Sequence, residues 1–178
     1  MAKEGQFGLD SITGALAEAS KRAPSVELWD PPFCGNLDMR IAAEGSRFGI
    51  PAAKLGLGYG YDGIRRLIDL VGPACAREIF YTARQFSAEE ALRMGLVNQV
   101  VPADSLESYV KDYCQMIAAN APLTLRSVKI IVREAMKDER ERDLALCKRV
   151  VEECFTSEDY VEGRTAFMEK RKPAFKGR

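Results

Sequence analysis

"FGIPAAKLGLGYGYDG" (Phe48–Gly63) carries five glycines in sixteen residues, with Tyr59, Tyr61 and Asp62 set among them. Glycine lets a main chain turn sharply or come close to a ligand. The run therefore has two readings. One is a tight strand-to-helix connection with tyrosines packed outward. The other is a loop walling a small-molecule pocket, with tyrosine hydroxyls facing the ligand and Asp62 capping the helix that follows. The Walker spacing G-x-x-x-x-G-K-[ST] is absent, and the run is not read as a dinucleotide fingerprint.

Upstream, "MRIAAE" alternates Met39 and Ile41 with Arg40 and predicts a short strand. Downstream the pattern turns helical. Ile64, Leu67, Ile68 and Val71 form an apolar stripe, and Pro73 suits the first turn of a second helix. Ser87 and Glu90 have the spacing of a capping box, and Gly95 suits a left-handed stop. "LVNQVV" (Leu96 to Val101) predicts a second short strand. Ser105 is expected to cap the next helix, Pro122 to open another, and Ser157 to cap a last one that Pro173 ends. "ERDLALCKRVVEECF" reads as a further helix between them. Residues 8 to 23 also read as a helix, whereas "SVELWDPPFCGN" fits no element because two prolines exclude a strand or helix interior.

Bulk properties narrow the function classes. The chain has 178 residues, with 26 Lys+Arg against 26 Asp+Glu, so its charge points to no nucleic-acid or membrane partner. No run of eighteen apolar residues suggests a transmembrane helix, and the N-terminus lacks the apolar core of a signal peptide. Five unpatterned cysteines suit reduced thiols in a cytoplasmic setting, with Cys147 and Cys154 on one helix face as core packing. There is no histidine, which removes Ser-His-Asp and Cys-His chemistry and argues against a metal site. Acid or base work would fall to a carboxylate, Tyr, Lys, Cys or water.

Four segments taken together resemble the enoyl-CoA hydratase/isomerase (crotonase) superfamily: "DMRIAAEGSRFGIPAAKLGLG", "SAEEALRMGLVNQVVPADSL", "IAANAPLTL" and "EGRTAFMEKRKPAFKGR", in the family's order. The resemblance implies an α/β fold: a spiral of ββα units, here partial, with a C-terminal helical region that builds a trimer or a dimer of trimers. It divides the chain into a partial core, 1–121, with 1–37 divergent, and a helical region, 122–178. It implies an acyl-CoA substrate, with CoA as part of that substrate and no separate cofactor. The chemistry it implies is an enolate held by two backbone N–H groups.

The resemblance also assigns residues. Gly35, in "PFCGN", stands where one oxyanion donor is expected, and the other donor would lie before this sequence begins. The prolines of Ser25–Asn36 depart from the family pattern, so the sequence is expected to be a truncated, frame-disturbed or alternatively spliced copy. Phe48, Pro51, Ala52, Leu55, Gly56, Gly58 and Tyr61 would line the acyl pocket. Ala52 occupies a position where hydratases of the family carry a glutamate, so two-glutamate hydration is not expected. Tyr59 sits three residues after Leu55-Gly56, as in the methylmalonyl-CoA decarboxylase branch, and with Asp62 is a candidate for proton delivery; a packed wall residue and a helix cap are the structural alternatives. Phe167 and Lys170 match residues that reach the nucleotide end of CoA. Lys170, Arg171, Lys172, Lys176 and Arg178 form a basic ending suited to its phosphates, although a solvated basic tail would look the same. The competing functions are an acyl-CoA hydratase, isomerase or decarboxylase, a CoA-binding module without turnover, and an inactive remnant associating with full-length relatives.

Overall fold

The computed structural model describes residues Glu27–Leu28 and 38–178. The helix expected over residues 8 to 23 and the candidate donor Gly35 lie outside them. The described chain divides into two compact units, one ending at Asp112 and the other running Tyr113–Arg178.

In the first unit β1 (Glu27–Leu28), β3 (Arg47–Gly49) and β4 (Phe86–Ser87) form a three-stranded sheet in the order β1-β3-β4. β1 runs parallel to β3, pairing Glu27 with Phe48, and β4 runs antiparallel to it, pairing Phe48 with Phe86. The segment that fits no element by its prolines thus holds one short strand, placed before Pro31 and Pro32. A second sheet pairs β2 (Ile41–Ala43) in parallel with β5 (Gln99–Val101). Parallel pairing needs a crossover, and the helices between these strands supply it. Both predicted strands form, but shorter than the apolar runs that suggest them. Arg40 and Asn98 tie the start of this pair: the Arg40 amide donates to Asn98 Oδ1 at 2.7 Å and its Nε to the Leu96 carbonyl at 2.6 Å.

The crossover contains α1 (Tyr61–Thr82) and α2 (Ala88–Arg93). α1 is two helices joined at a break, because Gly72 takes φ 75° and ψ 166° and Pro73 opens the second piece. A residue before proline is pushed out of the helical region. Leu67 and Val71 of the predicted stripe are buried, with Ile68 packed at the edge of the same cluster. The predicted capping box of α2 forms in full: the Glu90 amide donates to Ser87 Oγ at 3.2 Å and the Ser87 amide to Glu90 Oε2 at 2.7 Å. Gly95 takes the expected left-handed stop, φ 78°. The core of this unit gathers Ile50, Leu67, Val71, Ile79, Phe86 and Leu96, with Phe86 and Leu67 its largest fully buried side chains.

α3 (Leu106–Ala118) spans the division between the units. Ser105 does not cap it as predicted. It lies in a 3-10 turn, Ala103–Ser105, that runs straight into the helix, and its hydroxyl donates to Asp104.

The second unit continues with α4 (Pro122–Ala135), α5 (Leu144–Thr156) and α6 (Glu158–Met168), α4 packing along α5. The turn between α4 and α5 is tied by Glu134, a buried carboxylate that accepts from Lys137 Nζ at 2.6 Å and the Asp143 amide at 2.8 Å. Asp143 in turn caps α5 by accepting from Leu146. The helix predicted from Glu141 therefore starts later, at Leu144, after a 3-10 turn at Glu139–Glu141. Ser157 caps α6 as predicted, accepting from the Tyr160 amide at 3.1 Å. α6 ends at Met168, ahead of Pro173, by a left-handed turn at Lys170.

Candidate functional site

β3 delivers the chain into the glycine-rich run. Gly49 is required there: a Cβ would stand 2.8 Å from the Arg84 carbonyl oxygen. Pro51 then opens a 3-10 helix, Pro51–Leu55, that buries Ala52 and exposes Leu55. Gly56 closes it in the left-handed region, φ 64°, where a side chain is strained. The Leu57 amide returns to the Ala52 carbonyl at 3.0 Å. Gly58 and Gly60 are exposed, and their amides donate no hydrogen bond among the described residues.

The expected pocket residues separate. Phe48 lines a small apolar cavity with Ile50, Leu67, Ile79, Phe86 and Leu96, none of them titratable. Ala52 sits in the apolar core beside it. Leu55, Leu57 and Tyr61 stand on the surface, 59% to 75% exposed. Tyr59 is half-buried against the core, with the edge of its ring on Phe80, centroids 5.0 Å apart.

Asp62 does not cap α1. Gly60 is the capping residue, with no side-chain bond, and Asp62 lies inside the first turn, exposed, where its charge suits the helix dipole. Tyr61 opens the helix and neighbours Arg65. Arg65 is held above its ordinary pKa first by Asp69, at 3.0 Å, and then by Tyr61.

The run Gly58–Gly63 does carry G-x-G-x-x-G spacing, so spacing alone cannot exclude a dinucleotide fingerprint. The structure excludes it: a 3-10 helix, not a strand, leads into the run, β3 having ended at Gly49.

At the other end of the sequence, Phe167 is 82% exposed and Lys170 takes φ 56°. Arg171 forks onto Glu162, Nη1 to Oε1 at 2.6 Å and Nη2 to Oε2 at 2.9 Å, and its Nε reaches Glu169 at 2.6 Å. That fork, followed by the Ala174 amide, holds the Glu162 carboxyl down at about 2. Arg178 pairs with Glu158 at 3.1 Å. Two of the five tail cations are thus already neutralised. Sequence reasoning missed Asp159 and Glu162, which hold this tail. Their only signal is two acids three apart near a helix start, a pattern that the helix dipole already explains.

Among the described residues no group of three or more Cys, Asp or Glu is placed to hold a metal, and no helix is long and apolar enough to cross a membrane.

The model of the Enoyl-CoA hydratase/isomerase family matches residues 34–178. The chain is 39% identical over 142 residues to a short-chain-enoyl-CoA hydratase of Clostridium acetobutylicum, covering 79% of this chain and 54% of that protein. It is 40% identical over 138 residues to a crotonyl-CoA hydratase of Syntrophomonas wolfei, covering 78% and 53%. The chain therefore spans about half the length of these relatives. Among solved structures, an enoyl-CoA hydratase from Bacillus anthracis superposes with a TM-score of 0.75 at 30% identity, covering 99% of this chain and 72% of that one. An enoyl-CoA hydratase/carnithine racemase from Magnetospirillum magneticum gives 0.71 at 33% identity, covering 80% and 52%. The chain belongs to the enoyl-CoA hydratase/isomerase family and carries part of the crotonase fold.

Proposed function

We propose that this chain binds a coenzyme A thioester. The Pro51–Gly63 run suits the acyl end of such a ligand, and the turn after α6, considered by itself, suits its phosphorylated nucleotide end. The observation that carries the reading is the family match, which spans residues 34–178 and so takes in the glycine-rich run and the basic ending. The exposed main chain of Gly58 and Gly60 supports it, since unpaired N–H groups are what a thioester oxygen seeks as it gains charge. Gly35 is the candidate for a further donor.

Hydration by paired glutamates is not part of the reading, because Ala52 is apolar and buried in the core. This leaves Tyr59 as the half-buried titratable group of the run, and it carries the second reading, a decarboxylase-type reaction in which its phenol serves the enolate.

Thermal unfolding of the full chain in millimolar CoA tests binding, because a ligand of the folded state must raise Tm. A rise is expected, with crotonyl-CoA left unhydrated. No shift would overturn the binding reading. Turnover of methylmalonyl-CoA that disappears in Tyr59→Phe would establish the second reading, and turnover unchanged by that substitution would remove Tyr59 from it.

A further inference from the structure

After α6 the chain makes a Schellman turn with lysine in the place glycine usually takes. The Lys170 amide donates to the Phe167 carbonyl at 3.2 Å, and the Arg171 amide to the Ala166 carbonyl at 3.0 Å. Lys170 stands at φ 56°, in the region that side chains avoid. A strained residue persists where its surroundings over-determine it, and such residues gather at functional sites.

The surroundings here are a built strap. Glu162 takes the Arg171 fork on one side of the turn and accepts the Ala174 amide at 2.8 Å. One helical turn earlier, Asp159, 4% exposed, accepts the Lys176 amide at 2.7 Å and the Gly177 amide at 2.8 Å. The Asp159 amide donates to the Arg178 carbonyl at 3.2 Å. Gly163 lets the tail lie close, since a Cβ there would stand 3.4 Å from the Phe175 ring. The chain thus doubles back along α6 and is tied at several points beyond Lys170.

The strap also sorts the charges. Arg171 and Arg178 are spent on Glu162, Glu169 and Glu158. The side chains of Lys170 and Lys172 enter no hydrogen bond or ion pair among the described residues, and Phe167, three residues before Lys170, is exposed. An exposed aromatic ring and two ammonium groups without a partner among the described residues, all within six positions of the chain, suit a phosphorylated nucleotide.

We infer that Glu162 and Asp159 are positioning residues, whose strap fixes the left-handed turn at Lys170 and so presents Lys170, Lys172 and Phe167 to the nucleotide end of CoA. Arg171 belongs to the strap and does not contact the ligand. The inference rests on the CoA-binding reading above and assigns the residues that shape its phosphate end.

A double-mutant cycle on the full chain tests it, by calorimetric titration with CoA. Lys170→Ala should weaken CoA about tenfold, the size of one charge-assisted hydrogen bond. Glu162→Gln should weaken it by a similar factor without touching the ligand. The double variant should bind no more weakly than either single one, because both remove the same interaction. Lys170→Gly should raise Tm by releasing the strained side chain and still weaken CoA, a split that a purely structural turn would not show. Should Glu162→Gln fail to fold, Arg171→Lys, which keeps the charge but loses the fork, replaces it with the same expected loss.

Wild-type affinity in Glu162→Gln beside a weakened Lys170→Ala would overturn the inference and leave CoA binding standing. Additive losses in the double variant would overturn the positioning role as well. A wild-type chain that does not bind CoA would overturn the binding reading and the inference with it.

Discussion

The glycine-rich run and the C-terminal tail are both irregular backbone beside a helix, yet they are held in opposite ways. The run buries Ala52 and half-buries Tyr59 while Leu55, Leu57 and Tyr61 stay on the surface, and the Gly58 and Gly60 amides have no partner among the described residues. The tail has almost no apolar burial of its own, yet Asp159 and Glu162 take three of its amides and one of its guanidinium groups. Directional hydrogen bonds to two carboxylates order the tail. The run keeps its main chain available. The tail is thereby a fixed turn, and the run is a surface with part of its main chain open.

The largest expected effect lies beneath the run. Phe86, which is fully buried and pairs with Phe48 across β3 and β4, should cost about 3–5 kcal/mol when cut to alanine. Urea unfolding measures this, and a loss below about 1 kcal/mol would mean that the core under the run is not packed as described. Gly49→Ala comes next. Its Cβ would collide with main chain, so a loss of about 1–3 kcal/mol is expected in the same measurement.

The tail answers to acid instead. Glu162 has a folded pKa of about 2 against an ordinary 4.5, so the folded state binds fewer protons there than the unfolded state does. Its contribution is complete above the ordinary value and fades as pH falls toward about 2. The Tm difference between wild type and Glu162→Gln should therefore be widest near neutrality and shrink below pH 4.5. A difference that grows in acid would contradict the fork. The smallest effect belongs to the exposed part of the run, where Leu57→Ser should change stability by no more than about 0.5 kcal/mol. A larger loss would mean that something covers Leu57.

Readability in the sequence followed the range of the interaction. Pro73, Pro122, Ser87 with Glu90, and Ser157 announce their elements because a cap or a proline acts on backbone within a few residues. Asp62 and Ser105 have the right chemistry for caps and the wrong backbone. One lies inside the first turn and the other inside a 3-10 turn, and which residue takes the extended conformation is settled by how the chain arrives. The end of α6 was misplaced at Pro173 because the true stop is a left-handed lysine, a residue with no propensity for that role. The strap could not be read, since Asp159 and Glu162 bond to residues 9 to 18 positions away. Recognition of the family came from four ordered segments and not from periodicity. The same recognition placed Phe48, Pro51 and Tyr61 in one pocket lining, whereas here Phe48 lines a core cavity and Tyr61 faces solvent.

Amide hydrogen exchange of the full chain, with and without crotonyl-CoA, bears most directly on the central claim that the bare main chain after Pro51 receives the thioester. The Gly58 and Gly60 amides should exchange fast in the free protein and slow down with ligand, while Lys176 and Gly177 are slow in both states. Exchange at Gly58 and Gly60 that stays fast under saturating crotonyl-CoA would contradict it.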